Sequence, residues 1–467
     1  MMWQNIVLVV AVTGVLVGCN STSQIAENYR SELKMPDNWQ QAHTQGEVQQ
    51  SWLTQLENPQ IHELVAQALR NNLSIAKQAT EIEAARQSLI ATGSVLWPTL
   101  EVSFDSTRRK TVNSGALSTT HALGVKANYE LDLWGKLAAD ERQANLNVMT
   151  SQAGFMQQQY NLVADVVISW FSVIEGQKQL ELLHQRLKLV EQNLDIIENG
   201  YKQGLNSALD VYLTRNEYSN EQAKVAQQGA LVSERKRSLE RLIGEYPSAQ
   251  LLVEADLPLL NSNITMGVPS ELVSRKPALL SSWYQLLAQD AALAFAHKSR
   301  FPSINLTANY GSNSTNFNDA FSMSSAGWSL LSGISAPIFY AGRLAANEEL
   351  AQVQLKAQEL SYLDSLQDAF TEVENGISQE KALRTRYSET LISEKNAKLA
   401  EQLSFEQYQK GLVSYTTVLD AQKRSFEAQS SLISIKNELI KNRVALYLAL
   451  GGGFQLSQPE EDNNESS

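Results

Sequence analysis

The chain is poor in the residues that cross-link, ligate metals or bind polyanions. Its 467 residues include one cysteine, Cys19, so no intrachain disulfide can form. Five histidines, His43, His62, His121, His184 and His297, stand singly. A zinc site needs His, Cys or carboxylates at short ligand spacing, and none is present. Cations are in deficit, 38 Lys and Arg against 50 Asp and Glu, for a net charge of −12. That excludes a general nucleic-acid binder, which needs a basic surface to release counterions. The one basic cluster, Arg108-Arg109-Lys110, is shorter than the roughly five to eight residues of such patches. No Gly-x-Ser-x-Gly, His-Glu-x-x-His, nucleotide-binding or redox motif occurs, so neither catalytic residues nor a cofactor are expected and an envelope hydrolase is disfavoured. Proline is missing from two long stretches, Pro98 to Pro247 and Pro337 to Pro459. Proline breaks helix interiors, so both stretches are free to carry very long helices.

Apolar runs are short as well. The longest, Ile6 to Val17, has about twelve residues, against about twenty for a transmembrane helix, and fits the core of a signal peptide. It ends in Leu16-Val17-Gly18-Cys19, which resembles the lipobox of bacterial lipoproteins. The expectation is that residues 1–18 are removed and that Cys19 carries a covalent lipid. Asn20, in place of Asp, favours the outer membrane. With no helical span available, any membrane crossing must be β.

The remainder is one unit written twice. Tyr201-Lys-Gln-Gly204-Leu205 matches Tyr408-Gln-Lys-Gly411-Leu412, 207 positions on. The same offset carries Gly135-Lys136-Leu137-Ala138-Ala139 onto Gly342-Arg343-Leu344-Ala345-Ala346, and Ile243-Gly244 onto Leu450-Gly451. Trp97-Pro98 matches Phe301-Pro302 at an offset of 204. The reading is a signal peptide 1–18, a lipidated segment 19–58, a first repeat 59–245, a linker 246–268, a second repeat 269–452 and a disordered acidic tail 453–467.

Within each repeat the periodicity changes twice. Opening helices are predicted at about 59–92 and 269–299, long helices at about 134–202 and 341–409, and return helices at about 207–244 and 414–450. Each long helix would measure about 100 Å at 1.5 Å per residue. Leu180, Leu183, Leu187, Val190, Leu194, Ile197 and Tyr201 alternate spacings of three and four, a heptad seam. The second long helix has a poorer seam, interrupted by Glu394 and Glu401. Between opening and long helices the period drops to two. Leu123, Val125, Ala127, Tyr129 and Leu131 alternate with Gly124, Lys126, Asn128, Glu130 and Asp132. Ile304, Leu306, Ala308 and Tyr310 repeat the pattern, and Trp328, Leu330, Ile334, Ala336 and Ile338 continue it more loosely. Each repeat thus carries one hairpin, 99–132 and 302–339, of about ten-residue strands with one apolar face. That is the length of a tilted transmembrane strand, and a soluble sheet packed on a core explains the alternation equally well. Four strands in lipid would leave two open edges, so a dimer or trimer must close the barrel. Twelve strands, unlike eight, can enclose a water-filled lumen.

This order of elements resembles the TolC-like outer-membrane factor family, in its lipidated OprM/NodT-type branch. The resemblance is carried by Trp52 through Asn58-Pro59 with Leu64-Val65, Ala68-Leu69 and Asn72-Leu73, by Tyr129-Glu130-Leu131-Asp132-Leu133-Trp134-Gly135-Lys136, by Gly267-Val268-Pro269-Ser270-Glu271-Leu272-Val273 with Lys276-Pro277, and by Ile334-Ser335-Ala336-Pro337-Ile338-Phe339-Tyr340-Ala341-Gly342-Arg343. It implies an α+β membrane protein, mostly long helices in a periplasmic α-barrel, plus four strands per protomer in a trimeric twelve-stranded outer-membrane β-barrel. It also implies a passive exit duct that meets a periplasmic adaptor protein and an inner-membrane pump, commonly of the resistance-nodulation-division type. The outer component of a type I secretion system and a lipid-tethered coiled-coil scaffold are the alternatives. The turns at Gly204 and Gly411, farthest along the chain from the strands, should form the periplasmic tip. By resemblance Asp420 falls at the family's aperture aspartate, and Thr416 where some members carry a constricting Leu. Asp210 is the rough first-repeat counterpart. Tyr201 and Tyr408 precede the turns and serve either the lock or the seam. The plain alternative for Asp420 is an i, i+4 pair with Arg424.

Overall fold

The computed structural model describes residues 25, 29, 33, 35–40, 52–56, 58–110, 112, 115–259, 265–322, 324 and 326–454. Cys19, the leader, and most of the acidic tail lie outside the described residues. The elements run α1 (Pro59–Asn71), α2 (Leu73–Gly93), β1 (Thr99–Lys110), β2 (Leu117–Leu131), α3 (Lys136–Lys202), α4 (Ala208–Leu242), α5 (Pro269–Arg275), α6 (Pro277–Lys298), β3 (Ser303–Ser314), β4 (Ala326–Ser335), α7 (Arg343–Gln409) and α8 (Tyr415–Ala449). The two long helices each have 67 residues and the two return helices 35. No helix among the described residues is long and apolar enough to cross a membrane.

The duplication extends to backbone torsions. Positive φ recurs at Gly135 and Gly342, at Gly204 and Gly411, and at Gly244 and Gly451. Each opening helix, expected to be continuous, is instead broken into two. Asn72 has ψ 124° and Lys276 ψ 116°, both extended. Pro277 accounts for the second break, since the residue before proline is pushed out of the helical region. The breaks serve the far ends of the return helices, whose last carbonyls lack intrahelical donors. Asn72 Nδ2 donates to the Leu242 carbonyl at 2.9 Å, and Arg275 Nε to the Leu450 carbonyl at 2.9 Å. Gly244 and Gly451 pass close beneath: a Cβ at Gly244 would lie 2.6 Å from Asn71 Cβ, and one at Gly451 3.0 Å from the backbone of Lys276.

Contacts divide the chain into two compact units that cut across the repeats. One comprises Met1–Lys34, Thr80–Ala153 and Leu280–Ser365; the other comprises Met35–Ala79, Gly154–Leu279 and Leu366–Ser467. The first has a core of Trp283, Leu286, Leu293, Ala351, Leu355 and Tyr362, with Tyr29 stacked on Trp283. It also holds the sheet, antiparallel in the order β1-β2-β3-β4, so the middle pair joins the two repeats. The strands have 12, 15, 12 and 10 residues. β4 stops at Ser335 because Pro337 has no N–H to donate, leaving Ile338 beyond the strand that its alternation suggested.

The second unit is helical. Along α3, Leu183, Val190 and Ile197 are buried at seven-residue spacing, while Leu180, Leu187 and Leu194 are half-buried, as a heptad seam demands. The seam ends at Ile197, because Tyr201 is half-exposed. On α7 the corresponding Glu394 is drawn aside into a pair with Lys398 at 2.5 Å. The N-terminal segment laces onto this unit through Trp52, stacked on Tyr447 at 5.8 Å, and Trp39, whose Nε1 donates to the Met266 carbonyl.

Candidate functional site

The two helix turns pack together, within the second unit. Each closes with the same motif: Leu205 N–H donates to the Gly200 carbonyl at 2.8 Å and Leu412 N–H to the Gln407 carbonyl at 3.0 Å. Glycine is required at each, with φ 77° at Gly204 and 73° at Gly411, where a Cβ would be strained. Ile197, Val211, Tyr415 and Val418 form a buried cluster between the turns, joined by Phe405, Tyr408 and Leu419. Tyr408 reaches from one turn to the other, its hydroxyl donating to Asn206 Oδ1 at 3.3 Å and its ring 5.3 Å from that of Tyr415. Burial, then the Asp210 carboxylate, push the Tyr408 hydroxyl up to about 12. Tyr408 is therefore a contact between turns, whereas Tyr201, with its ring half in solvent, joins neither the seam nor this cluster.

The carboxylates divide. Asp210 accepts from Ser207 N while Ser207 Oγ accepts from Asp210 N, a reciprocal capping box at the start of α4. Asp420 is exposed and accepts from Arg424 Nε at 2.9 Å. It lines an open groove between α7 and α8 with Ser393, Asn396, Thr417 and Glu427. Thr416 is exposed, its Oγ1 2.6 Å from Ser414 Oγ.

Sequence reading missed a buried charge cluster farther along the same helices. Arg186 of α3 pairs with Glu217 and, through Nε at 2.9 Å, with Glu221 of α4, whose side chain is wholly buried. Its guanidinium lies 4.8 Å over the Phe426 ring of α8 and reaches the Gln422 carbonyl. One arginine thus ties the first repeat's helix pair to the second's return helix. The signal was an arginine beside a leucine seam opposite two glutamates four residues apart.

In the first unit, strand register aligns the apolar residues into rows. Val102, Val125, Tyr310 and Trp328 are successive partners across all four strands, as are Leu100, Ala127, Ala308 and Leu330. Leu131, Ile304 and Ile334 make a further row. Paired residues in a sheet share a face, so the apolar side is continuous. The opposite face carries Glu101, Lys126, Asn309 and Ser329, and a row of Ser103, Gly124, Gly311 and Gly327. Among the described residues, the outer edges of β1 and β4 pair with no further strand.

A family profile described as outer membrane efflux protein matches residues 64–245 and 268–452. The chain is 30% identical over 412 residues to the solvent efflux pump outer membrane protein SrpC of Pseudomonas putida, covering 86% of this chain and 87% of that one. It is 28% identical over 411 residues to the probable outer membrane lipoprotein SilC of Salmonella typhimurium, covering 86% and 88%. The Campylobacter jejuni CmeC outer membrane channel superposes with a TM-score of 0.85 at 20% identity, covering 92% of this chain and 94% of that one, and so shares its fold.

Proposed function

Since the chain belongs to the outer membrane efflux protein family, and is an outer-membrane efflux channel, we propose that it works as a homotrimeric exit duct served by a periplasmic adaptor and an inner-membrane pump of the resistance-nodulation-division type. The observation that carries this is the continuous apolar face of a four-stranded sheet whose two edges have no partner among the described residues. In hydrocarbon each unpaired backbone group costs several kcal/mol, so β4 of one protomer must pair with β1 of the next. Three copies give twelve strands and a lumen lined by the polar face. The chain carries no nucleotide-binding motif, so the driving energy belongs to the pump. Cys19 carries the lipid, and three copies of Asp420 converge at the periplasmic aperture, with Asp210 and Thr416 beside it. The relative named for solvent efflux directs the choice of cargo to small organic solvents.

The test combines growth and conductance. A deletion strain should become sensitive to organic solvent and regain tolerance with the wild-type gene. Val125→Arg, a charge on the apolar face worth about 2–4 kcal/mol near the bilayer midplane, together with Tyr129→Asp, which costs less, should abolish the trimer and the rescue. Lys126→Gln with Asn128→Ser, on the polar face, should assemble and rescue. Assembly of the first pair and failure of the second would invert the two faces. Purified protein that forms no channel in planar bilayers would remove the duct.

A further inference from the structure

The Arg108-Arg109-Lys110 cluster is not used by the duct. It closes β1, and the register divides it: Arg108 pairs with Thr119 and Lys110 with Leu117, on the apolar side, while Arg109 falls on the polar side. Along that apolar side β1 reads Leu100, Val102, Phe104, Ser106, Arg108, Lys110, a gradient from hydrocarbon to cation. Both acidic residues of β1, Glu101 and Asp105, lie on the other face, as does Glu130 of β2. β3 and β4 contain no acidic residue. The ten positions from Leu131 to His121 on β2 span about 26 Å of membrane normal, at about 3.4 Å per residue and about 40° tilt, against an apolar band of about 25 Å. Arg108, beside Thr119, therefore sits just above the band.

The turn Asn318–Phe321 folds onto the same face directly below. Phe321 stacks on Phe104 at 5.5 Å, and Phe317 meets the edges of Phe104 at 5.8 Å and His121 at 5.5 Å. His121 Nδ1 is 2.9 Å from Ser106 Oγ, and Ser312 Oγ donates to the Ala320 carbonyl, fixing the turn. Phe317 and Phe321 remain more than half exposed. Asp319 of this turn accepts from Asn316 Nδ2 at 3.0 Å. The result is a ledge of exposed aromatic rings beneath two cations that face outward from the barrel.

We propose that Arg108 and Lys110 with the Phe104, Phe317 and Phe321 ledge form a binding site for a phosphate-bearing lipid of the outer leaflet, its phosphates on the two cations and its acyl chains on the rings. This rests on the apolar face being the lipid face. The charge complementarity is specific to position, since in a chain of net charge −12 these two cations stand on a strand face that has no carboxylate.

The test uses the full-length protein purified from outer membranes in mild detergent. Binding is read by native mass spectrometry with diphosphorylated lipid A, dephosphorylated lipid A and inorganic phosphate as probes. Wild type should bind the diphosphorylated lipid and lose it when both phosphates are removed. Inorganic phosphate at equal concentration should not compete. R108Q/K110Q should weaken binding about thirtyfold, from roughly 1 kcal/mol per cation near an anionic lipid surface. R109Q, which removes one positive charge from the other face, should bind as wild type. Equal binding of the two lipids, wild-type binding by R108Q/K110Q, an equal loss in R109Q, or competition by inorganic phosphate would each overturn the site. Quenching of Trp328 by brominated acyl chains, measured against W328F, reads the lipid face separately. Quenching retained while the phosphate arms fail removes this site alone; absent quenching removes the lipid-face assignment with it.

Discussion

Asp420 holds Arg424 one helical turn away, yet an exposed i, i+4 pair adds little to stability because water and salt screen it. In the proposed trimer three copies of this carboxylate would act together more strongly, attracting cations to the lumen they face. Asp420→Ala is expected to raise single-channel conductance in planar bilayers and to weaken block by multivalent cations. Arg424→Ala should leave the block intact. Identical conductance and block in wild type and both variants would take Asp420 out of the aperture. Glu240 is a carboxylate of another kind, buried at the end of α4. Burial raises its pKa, but it accepts from Ala249 N at 2.7 Å, Leu251 N at 3.0 Å and the Ser248 hydroxyl, which together hold it below the usual carboxylate value. A depressed folded pKa gives stability that is present above the unfolded value of about 4.3 and lost as pH falls through the folded one. Glu240→Gln should cost about 1–3 kcal/mol at neutral pH. Its thermal midpoint should also fall less steeply than wild type as pH drops below about 4.3.

Among the elements, the paired breaks in the opening helices carry the clearest mechanical role. Each delivers a side chain to the last turn of a return helix, and each demands a glycine where the two backbones meet. At Gly244, φ is 79° and a Cβ would stand 2.8 Å from the Asn71 carbonyl oxygen. Gly244→Ala is expected to destabilise by about 1–3 kcal/mol, since positive φ and the clash act together. Gly229→Ala, inside α4 with nothing within 4 Å of its Cβ, should instead stabilise by up to about 1 kcal/mol. Thermal melts of the two variants check both signs, and an unaffected Gly244→Ala would mean that the break yields freely. The Arg186 cluster belongs to the same scale. Its four partners lie on two other helices, so it fixes how the first repeat's helix pair meets the second's return helix rather than the stability of any one helix.

For the whole molecule, the sheet and the lipid make separate demands on the membrane. The proposed barrel draws on three chains; the proposed thioether on Cys19 draws on one. Cys19→Ala should lose metabolic palmitate label, while trimers that reach the outer membrane should still form, since the strands hold them there. Label retained in the variant would remove the lipobox reading, and trimers lost despite export would show that the lipid helps to close the barrel.

The sequence alone determined the duplication, the long proline-free helices, the apolar face of the strands and the glycine turns, because each is a local signal repeated at fixed spacing. Tyr201 and Tyr408 show where that stops. They are 207 residues apart in matching motifs, yet one ring is half in solvent and the other bridges two turns. The breaks at Asn72 and Lys276 were equally hidden, although Pro277 marked one of them. Their reason lies some 170 residues away, at the carbonyls of Leu242 and Leu450. Periodicity reports which face of an element is apolar; only the packed chain decides which distant group needs a donor, and so where a helix has to stop.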